Sequence, residues 1–301
     1  MSLLTAGSMA STDSVSGGTD VQALSMSEDA SPETTLAEFY WSWFDARVAY
    51  SDDVRDAAFR LRYRVYCIEN PFEDPSANPD GREIDTYDSH AVHSLLIYRP
   101  TNVSAGTVRL VLPLAHDPDN SFALQHVCNH LMLRDRARFP IHAMAEVSRF
   151  CISKEFRRRL GDGTSVVGQE SDGMEMSADD ERRILPHLSL GLIESLVRMS
   201  IENKVTHWCA VMEPTLLRLL TRLGIHFDPI GPIVEYHGRR QPCFIPLAVL
   251  LPRVKRERPD VWDVITRGGK HWKRLCRLLP VIQSGHASSE QTAATPAEGT
   301  A

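Results

Sequence analysis

The sequence predicts an α/β (α+β) fold, a central sheet of mixed direction flanked by helices. Segments with strand patterning alternate with segments of helical periodicity, and the last two strands close as a hairpin. At 301 residues and 43% apolar content, the chain can also fill the core of one large domain or two ordinary ones. The formal charge of −6 supplies no basic field for nucleic acid. Cys67, Cys128, Cys151, Cys209, Cys243 and Cys276 form no C-x-x-C pair, which predicts reduced, mostly buried thiols and a cytoplasmic location. The most apolar run, Phe244 to Leu251, is interrupted by Pro246, stopped by Pro252 and too short to span a bilayer. Arg47 is the first basic residue, so no secretory leader is expected.

Residues 1–35 are rich in Ser, Thr, Gly and Ala, too polar to offset the entropy of ordering, and read as a disordered tail. The folded domain expected over 36–251 opens with a lead-in containing Phe39, Tyr40, Trp41 and Trp43, then a strand over 44–49. Ser51 is a suitable N-cap, with Asp52 and Asp53 in the first turn, for a helix over 52–69. Its core stripe is Val54, Ala58, Leu61, Val65 and Ile68, and a second stripe of Phe59, Arg62, Tyr66 and Glu69 runs beside it, by spacing alone a half-exposed face. Pro71, Pro75 and Pro79 make 70–81 a loop, where Phe72 is either a pocket wall or a plug that anchors the loop.

Strands follow over 93–98 and 107–112. Arg109 within the second needs an ionic partner if buried, and Asp85 and Asp88 are the natural ones. Residues 122–134 read as a helix. His126 and His130 flank Cys128 there, but no third ligand follows at suitable spacing, so no metal is predicted. The stretch Ala145 to Ile152 reads as a strand carrying both Glu146 and Arg149. Strict alternation puts these two on opposite faces, so either the strand is bulged or the charges serve different faces. A bulge would free backbone N–H groups able to hold a thioester carbonyl, which makes this stretch the expected centre of an active site.

After it, Arg157 to Gly163 has the residues of a phosphate-cradling nest, although Arg-rich turns are commonly just solvated. Residues 169–181 read as an insertion loop, and a long helix is expected from Pro186 to Asn203. A strand over 205–212, a helix over 214–223 ended by Gly224, an irregular strand over 225–230 and the closing hairpin complete the domain. Residues 253–277 carry nine Lys or Arg against three acids, a local balance of +6. The basic helical extension expected over 252–283 is a helix laid on the domain, a dock for an acidic partner or a membrane-surface helix. Residues 284–301 read as a second disordered tail.

Four blocks occur in one order: Leu61-Arg62-Tyr63-Arg64-Val65-Tyr66, Glu83-Ile84-Asp85-Thr86-Tyr87-Asp88, Gly106-Thr107-Val108-Arg109-Leu110 and Glu146-Val147-Ser148-Arg149-Phe150. This order resembles the LuxI-type autoinducer synthases and FeeM-type N-acyl amino acid synthases of the GNAT-like acyltransferase fold, and most nearly the acyltransferase of PEP-CTERM/exosortase systems. The resemblance implies a charged cleft of Arg62, Asp85, Asp88, Arg109, Glu146 and Arg149, with Tyr66 and Phe72 where the family has Phe and Trp. Arg158, Arg159, Gly161 and Gly163 resemble the R-x-x-G-x-G pyrophosphate loop.

The reaction so implied is transfer of a fatty acyl group from acyl carrier protein or acyl-CoA to the amine of an amino-acid-like small molecule, with no permanently bound cofactor. Glu146 would be the general base, and backbone N–H groups of Phe150, Cys151 and Ile152 would hold the oxyanion. Arg62 and Arg149 would clamp an acceptor carboxylate, while Asp85, Asp88 and Arg109 would mainly shape the cleft. Acyl carrier protein would dock on 157–159 or 253–277, and the latter segment could instead touch a membrane. The alternatives are an acyl-homoserine lactone synthase using S-adenosylmethionine and a non-catalytic module that binds an acyl ligand or carrier protein.

Overall fold

The computed structural model describes residues 34–161, 179 and 184–279. The two expected tails, apart from Thr34 and Thr35, lie outside them, as do Gly163 and, except for Asp179, the interval 169–181. Helix α1 (Leu36–Trp43) starts on a capping box between Thr35 and Glu38 and buries Phe39, Tyr40 and Trp43. Strand β1 (Phe44–Val48) leads to α2 (Asp52–Tyr63), capped by Ser51 as its sequence predicts. The helix then widens into a π-helical turn, Arg64–Glu69, in which the Asn70 N–H reaches the Val65 carbonyl at 3.0 Å. This added residue turns the helix out of phase. Ile68, expected in the core stripe, is 61% exposed, while Arg62 and Val65 are buried.

Strands β2 (Ala91–Tyr98), β3 (Val103–Val111), β4 (Met144–Ile152), β5 (His207–Met212), β6 (Asp228–Pro229), β7 (Val234–Glu235) and β8 (Arg239–Pro246) join β1. The sheet order is β1-β2-β3-β4-β5-β8-β6, with β7 paired to β8. Every pairing is antiparallel except β4 with β5. That parallel pair is short: Met144, Ala145 and Glu146 oppose His207, Trp208 and Cys209, and beyond Glu146 the two strands no longer pair.

Side-chain alternation divides the core in two. Leu95 and Ile97 of β2 meet Ala58 and Leu61 of α2 and Val65 of the π-helical turn on one face. Leu96 and Tyr98 face the larger core on the other, formed with α1, α5 (Leu190–Glu202), α7 (Leu247–Glu257) and α8 (Pro259–Thr266). Helices α3 (Ala123–Val127), α4 (Lys154–Gly161) and α6 (Pro214–Arg222) connect the strands, and a last helix, α9, occupies 270–279.

Three expectations need correction. The helix read over 122–134 is only α3 and a 3-10 turn, Leu131–Arg134, because Cys128 is extended and turns its thiol inward with Phe122 and Leu124. The long helix starts at Leu190, after a 3-10 turn over Leu185–His187. Pro252 does not stop the chain's apolar run: α7 passes through it, held by buried Leu250, Leu251 and Val254. A boundary at 251/252 therefore falls within a helix, and the basic segment buries Val261, Trp262, Val264, Ile265 and Leu275 in the main core. Of its three readings, that of a helix laid on the domain describes its packing. No helix among the described residues is long and apolar enough to cross a membrane.

Candidate active site

The gap between β4 and β5 opens into a cavity of about 580 Å³. Its walls include Val147 to Ile152 of β4, Val211 and Met212 of β5, Tyr66 from the π-turn, Phe72 from the proline loop, and Arg240 of β8. Phe72 is thus a pocket wall, stacked beneath Arg240, whose guanidinium carbon lies 5.7 Å from the ring centre.

Of the two alternatives for the central strand, the bulge is the one present. Arg109 opposes Ser148 and Thr107 opposes Cys151, so two steps on β3 face three on β4. Arg149 takes the strain, with φ of 50° in the left-handed region. The extra residue resets the alternation: Glu146, Ser148 and Arg149 all line the cavity, while Phe150 and Ile152 pack on the larger core. Gly106 makes room for this strand end, since a Cβ there would lie 2.7 Å from the Cys151 carbonyl oxygen and 2.5 Å from Ile152 Cδ1.

Glu146 is 4% exposed, and its Oε2 accepts the Leu124 N–H at 2.8 Å. Burial pushes its pKa up to about 7, against the pull of the Leu124 N–H and of the Arg109 and Arg149 charges. A carboxyl so placed can give or take a proton near neutrality.

Behind the cavity lies an ionic cluster of three arginines and four carboxylates. Arg62 donates to Glu83 and, through both terminal nitrogens, to Asp88 at 2.7 and 3.0 Å. Arg109 donates to Asp85, to Asp88 at 2.8 Å and to the Ser148 hydroxyl at 3.0 Å, which fulfils the pairing expected from sequence. Arg149 donates to Glu83 at 2.8 Å, Asp85 at 2.9 Å and Glu73 at 3.2 Å, beside the Tyr66 ring. Burial opposes ionisation of Glu83, but hydrogen bonds from Arg149 and Arg62 prevail and hold its pKa at about 2. Asp88 is likewise kept well below the usual carboxylate range, its desolvation outweighed by Arg62 and Arg109. His93 packs against Phe59 and Asp88, and burial and the neighbouring arginines lower its pKa to about 4, so it is neutral.

The site residues read from sequence therefore divide. Glu146, Tyr66, Phe72, Asp85, Arg109, Arg149, Phe150, Cys151 and Ile152 line the cavity. Arg62 and Asp88 do not, and Arg62 is fully buried among carboxylates, so it braces the cleft and cannot clamp an acceptor. Of the residues expected to form a phosphate nest, Arg158 and Gly161 are helical, because α4 begins at Lys154, directly after β4. The side chain of Arg159 and all of Gly163 lie outside the described residues. Sequence reasoning missed Glu83, Glu73, Tyr87 and Arg240. A signal existed for Glu83: a buried arginine demands more acceptors than one aspartate supplies. No group of three or more potential metal ligands occurs among the described residues.

Residues 61–164 match the family profile described as an acetyltransferase (GNAT) domain, a span that runs from the end of α2 through the bulge and includes Glu146 and Arg149. No curated protein matches significantly. Among solved structures, TofI in a ternary complex with an inhibitor and MTA shares 19% identity, covering 71% of this chain and 96% of that one at a TM-score of 0.47. BjaI, a CoA-dependent acyl-homoserine lactone synthase with SAM and isopentyl-CoA, shares 20% identity over 74% and 98%, at 0.43. FeeM, an N-acyl amino acid synthase from uncultured soil microbes, shares 16% over 70% and 94%, at 0.42.

Proposed function

We propose that the protein is an N-acyltransferase which moves a fatty acyl group from a thioester donor to the amine of an amino-acid-like acceptor. The observation that carries this reading is Glu146, a buried carboxyl with its pKa raised to about 7, facing a cavity beside unpaired backbone. The matched acetyltransferase (GNAT) profile supports the same class of chemistry.

The acceptor amine arrives as an ammonium and must lose a proton before it can attack. Glu146 takes that proton, through a water, and the neutral nitrogen adds to the thioester carbon. Backbone N–H groups of the bulged strand near Phe150 to Ile152 hold the oxyanion, a type of donor worth about 3 kcal/mol each. The addition forms the C–N bond, the adduct nitrogen releases its extra proton to solvent, and collapse breaks the C–S bond and expels the thiolate, which takes the proton held by Glu146. Arg149 borders the cavity at the bulge, and its planar fork suits the acceptor's carboxylate. Asp85 and Glu73, both partly exposed beside it, offer the ammonium a counter-charge before deprotonation.

Mass spectrometry of lipid extracts from cells expressing the wild type and Glu146→Gln tests the reading. An N-acyl amino acid is expected with the wild type and not with the variant. An N-acyl homoserine lactone instead would identify S-adenosylmethionine as the acceptor, and identical extracts would leave a binding module as the better description.

A further inference from the structure

The first N–H groups of a helix form a ready anion site, and the start of α4 borders the cavity through Lys154 and Arg157. In this protein that site is already filled by the chain itself. Glu69, at the end of the π-helical turn, accepts the Lys154 N–H at 2.7 Å and the Glu155 N–H at 3.3 Å, both in the first turn of α4. The Ser153 hydroxyl donates to the same carboxylate at 2.7 Å and accepts the Phe156 N–H at 3.2 Å, so the leading donors of α4 are all engaged. Lys154 Nζ also donates to the Glu69 carbonyl oxygen at 3.1 Å, fastening the π-turn to the helix. This junction adjoins the cavity, whose lining includes Asn70, Lys154 and Arg157.

The start of α5 is no freer. The Gly191 N–H in the first turn of α5 donates to the Tyr40 hydroxyl at 2.9 Å, and that hydroxyl donates to the Leu188 carbonyl at 2.9 Å. Leu188 and Leu190 are buried there under α1. A carboxylate and a phenol therefore occupy the leading N–H groups of these two helices.

We infer that Glu69 is a donor-specificity residue: it excludes thioesters that carry the nucleotide diphosphate of coenzyme A, and leaves acyl chains borne on the phosphopantetheine of an acidic carrier protein. This rests on the acyl-transfer reading above. A fixed negative charge at the helix start repels a diphosphate and withholds the backbone donors it would use. Phosphopantetheine carries one phosphodiester, which the side chains of Lys154 and Arg157 at the cavity's edge can receive without the helix N–H groups.

The test uses the full chain and Glu69→Gln, in which the amide oxygen keeps the cap and the charge is lost. Calorimetric titration with free coenzyme A should show millimolar or weaker binding by the wild type, with a gain on the order of tenfold in the variant. Turnover is compared in parallel with acyl-carrier-protein and acyl-CoA thioesters of the same chain, with mixed amino acids as acceptors and the N-acyl product as readout. The wild type should favour the carrier protein, and the ratio should move toward coenzyme A in Glu69→Gln. Micromolar binding of coenzyme A by the wild type, preferred use of acyl-CoA, or an unchanged ratio in the variant would overturn the assignment while the acyl-transfer reading stands. No turnover of either thioester would overturn both.

Discussion

Glu146 and Arg149, three residues apart on one strand, line the same cavity, although an odd spacing on a regular strand sends two side chains to opposite faces. The surplus residue between Ser148 and Cys151 makes this arrangement, and it places a proton acceptor beside a cation that can orient an acceptor.

Glu146→Gln is expected to retain the fold and to slow acyl transfer by roughly two orders of magnitude. In the wild type, kcat/KM should rise with pH and level off above about 7, the ionisation of Glu146. A pH-rate profile checks this, and a flat profile across neutrality counts against Glu146 as the base.

The same residue makes stability depend on pH. Its pKa is raised from 4.5 to about 7 on folding, so the folded state favours the protonated form. Stability is thus fully present below the unfolded value and falls as pH rises through 7. Relative to Glu146→Gln, the wild type should lose on the order of 3 kcal/mol between pH 4 and 8. Chemical denaturation of both proteins across that range is the measurement, and parallel curves would contradict the buried placement.

Glu83 has the opposite sign. Its pKa falls from 4.5 to about 2, so its stabilising effect is present above the unfolded value and lost as pH falls through 2. Glu83→Gln leaves the buried Arg62 short of a partner and should cost about 3 to 5 kcal/mol at neutral pH. The gap between wild type and variant should narrow on acidification, as followed by urea unfolding at several pH values.

Gly106→Ala should disturb the strand end opposite it, because the added methyl meets the Cys151 carbonyl oxygen, which is backbone and cannot rotate aside. A loss of roughly 1 to 3 kcal/mol in stability is expected, together with a lowered kcat. Thermal melting and steady-state kinetics together check it, since a change in kcat without any shift in melting would contradict the packing argument.

The alternation of strands and helices, the cap at Ser51 and the pairing of Arg109 with Asp85 and Asp88 were legible in the sequence, because each rests on local periodicity or a simple demand for counter-charge. The bulge was legible as a conflict: two charges on one strand that alternation could not reconcile. The phase of α2 beyond Tyr63 was not, since nothing in Arg64 to Glu69 departs from ordinary helical spacing, and the π-turn becomes defined only when Tyr66 meets Arg149 and Glu69 meets α4. Arg62 was misassigned for the same reason, because its burial depends on Glu83 and Asp88, which arrive from a distant loop.

That six-residue turn gives the fold a single point of adjustment. Removing one residue from it would restore a continuous α-helix and rotate everything downstream by about 100°. The aromatic wall at Tyr66 and the carboxylate plug at Glu69 would swing away together, so pocket shape and donor choice would change in one mutational event.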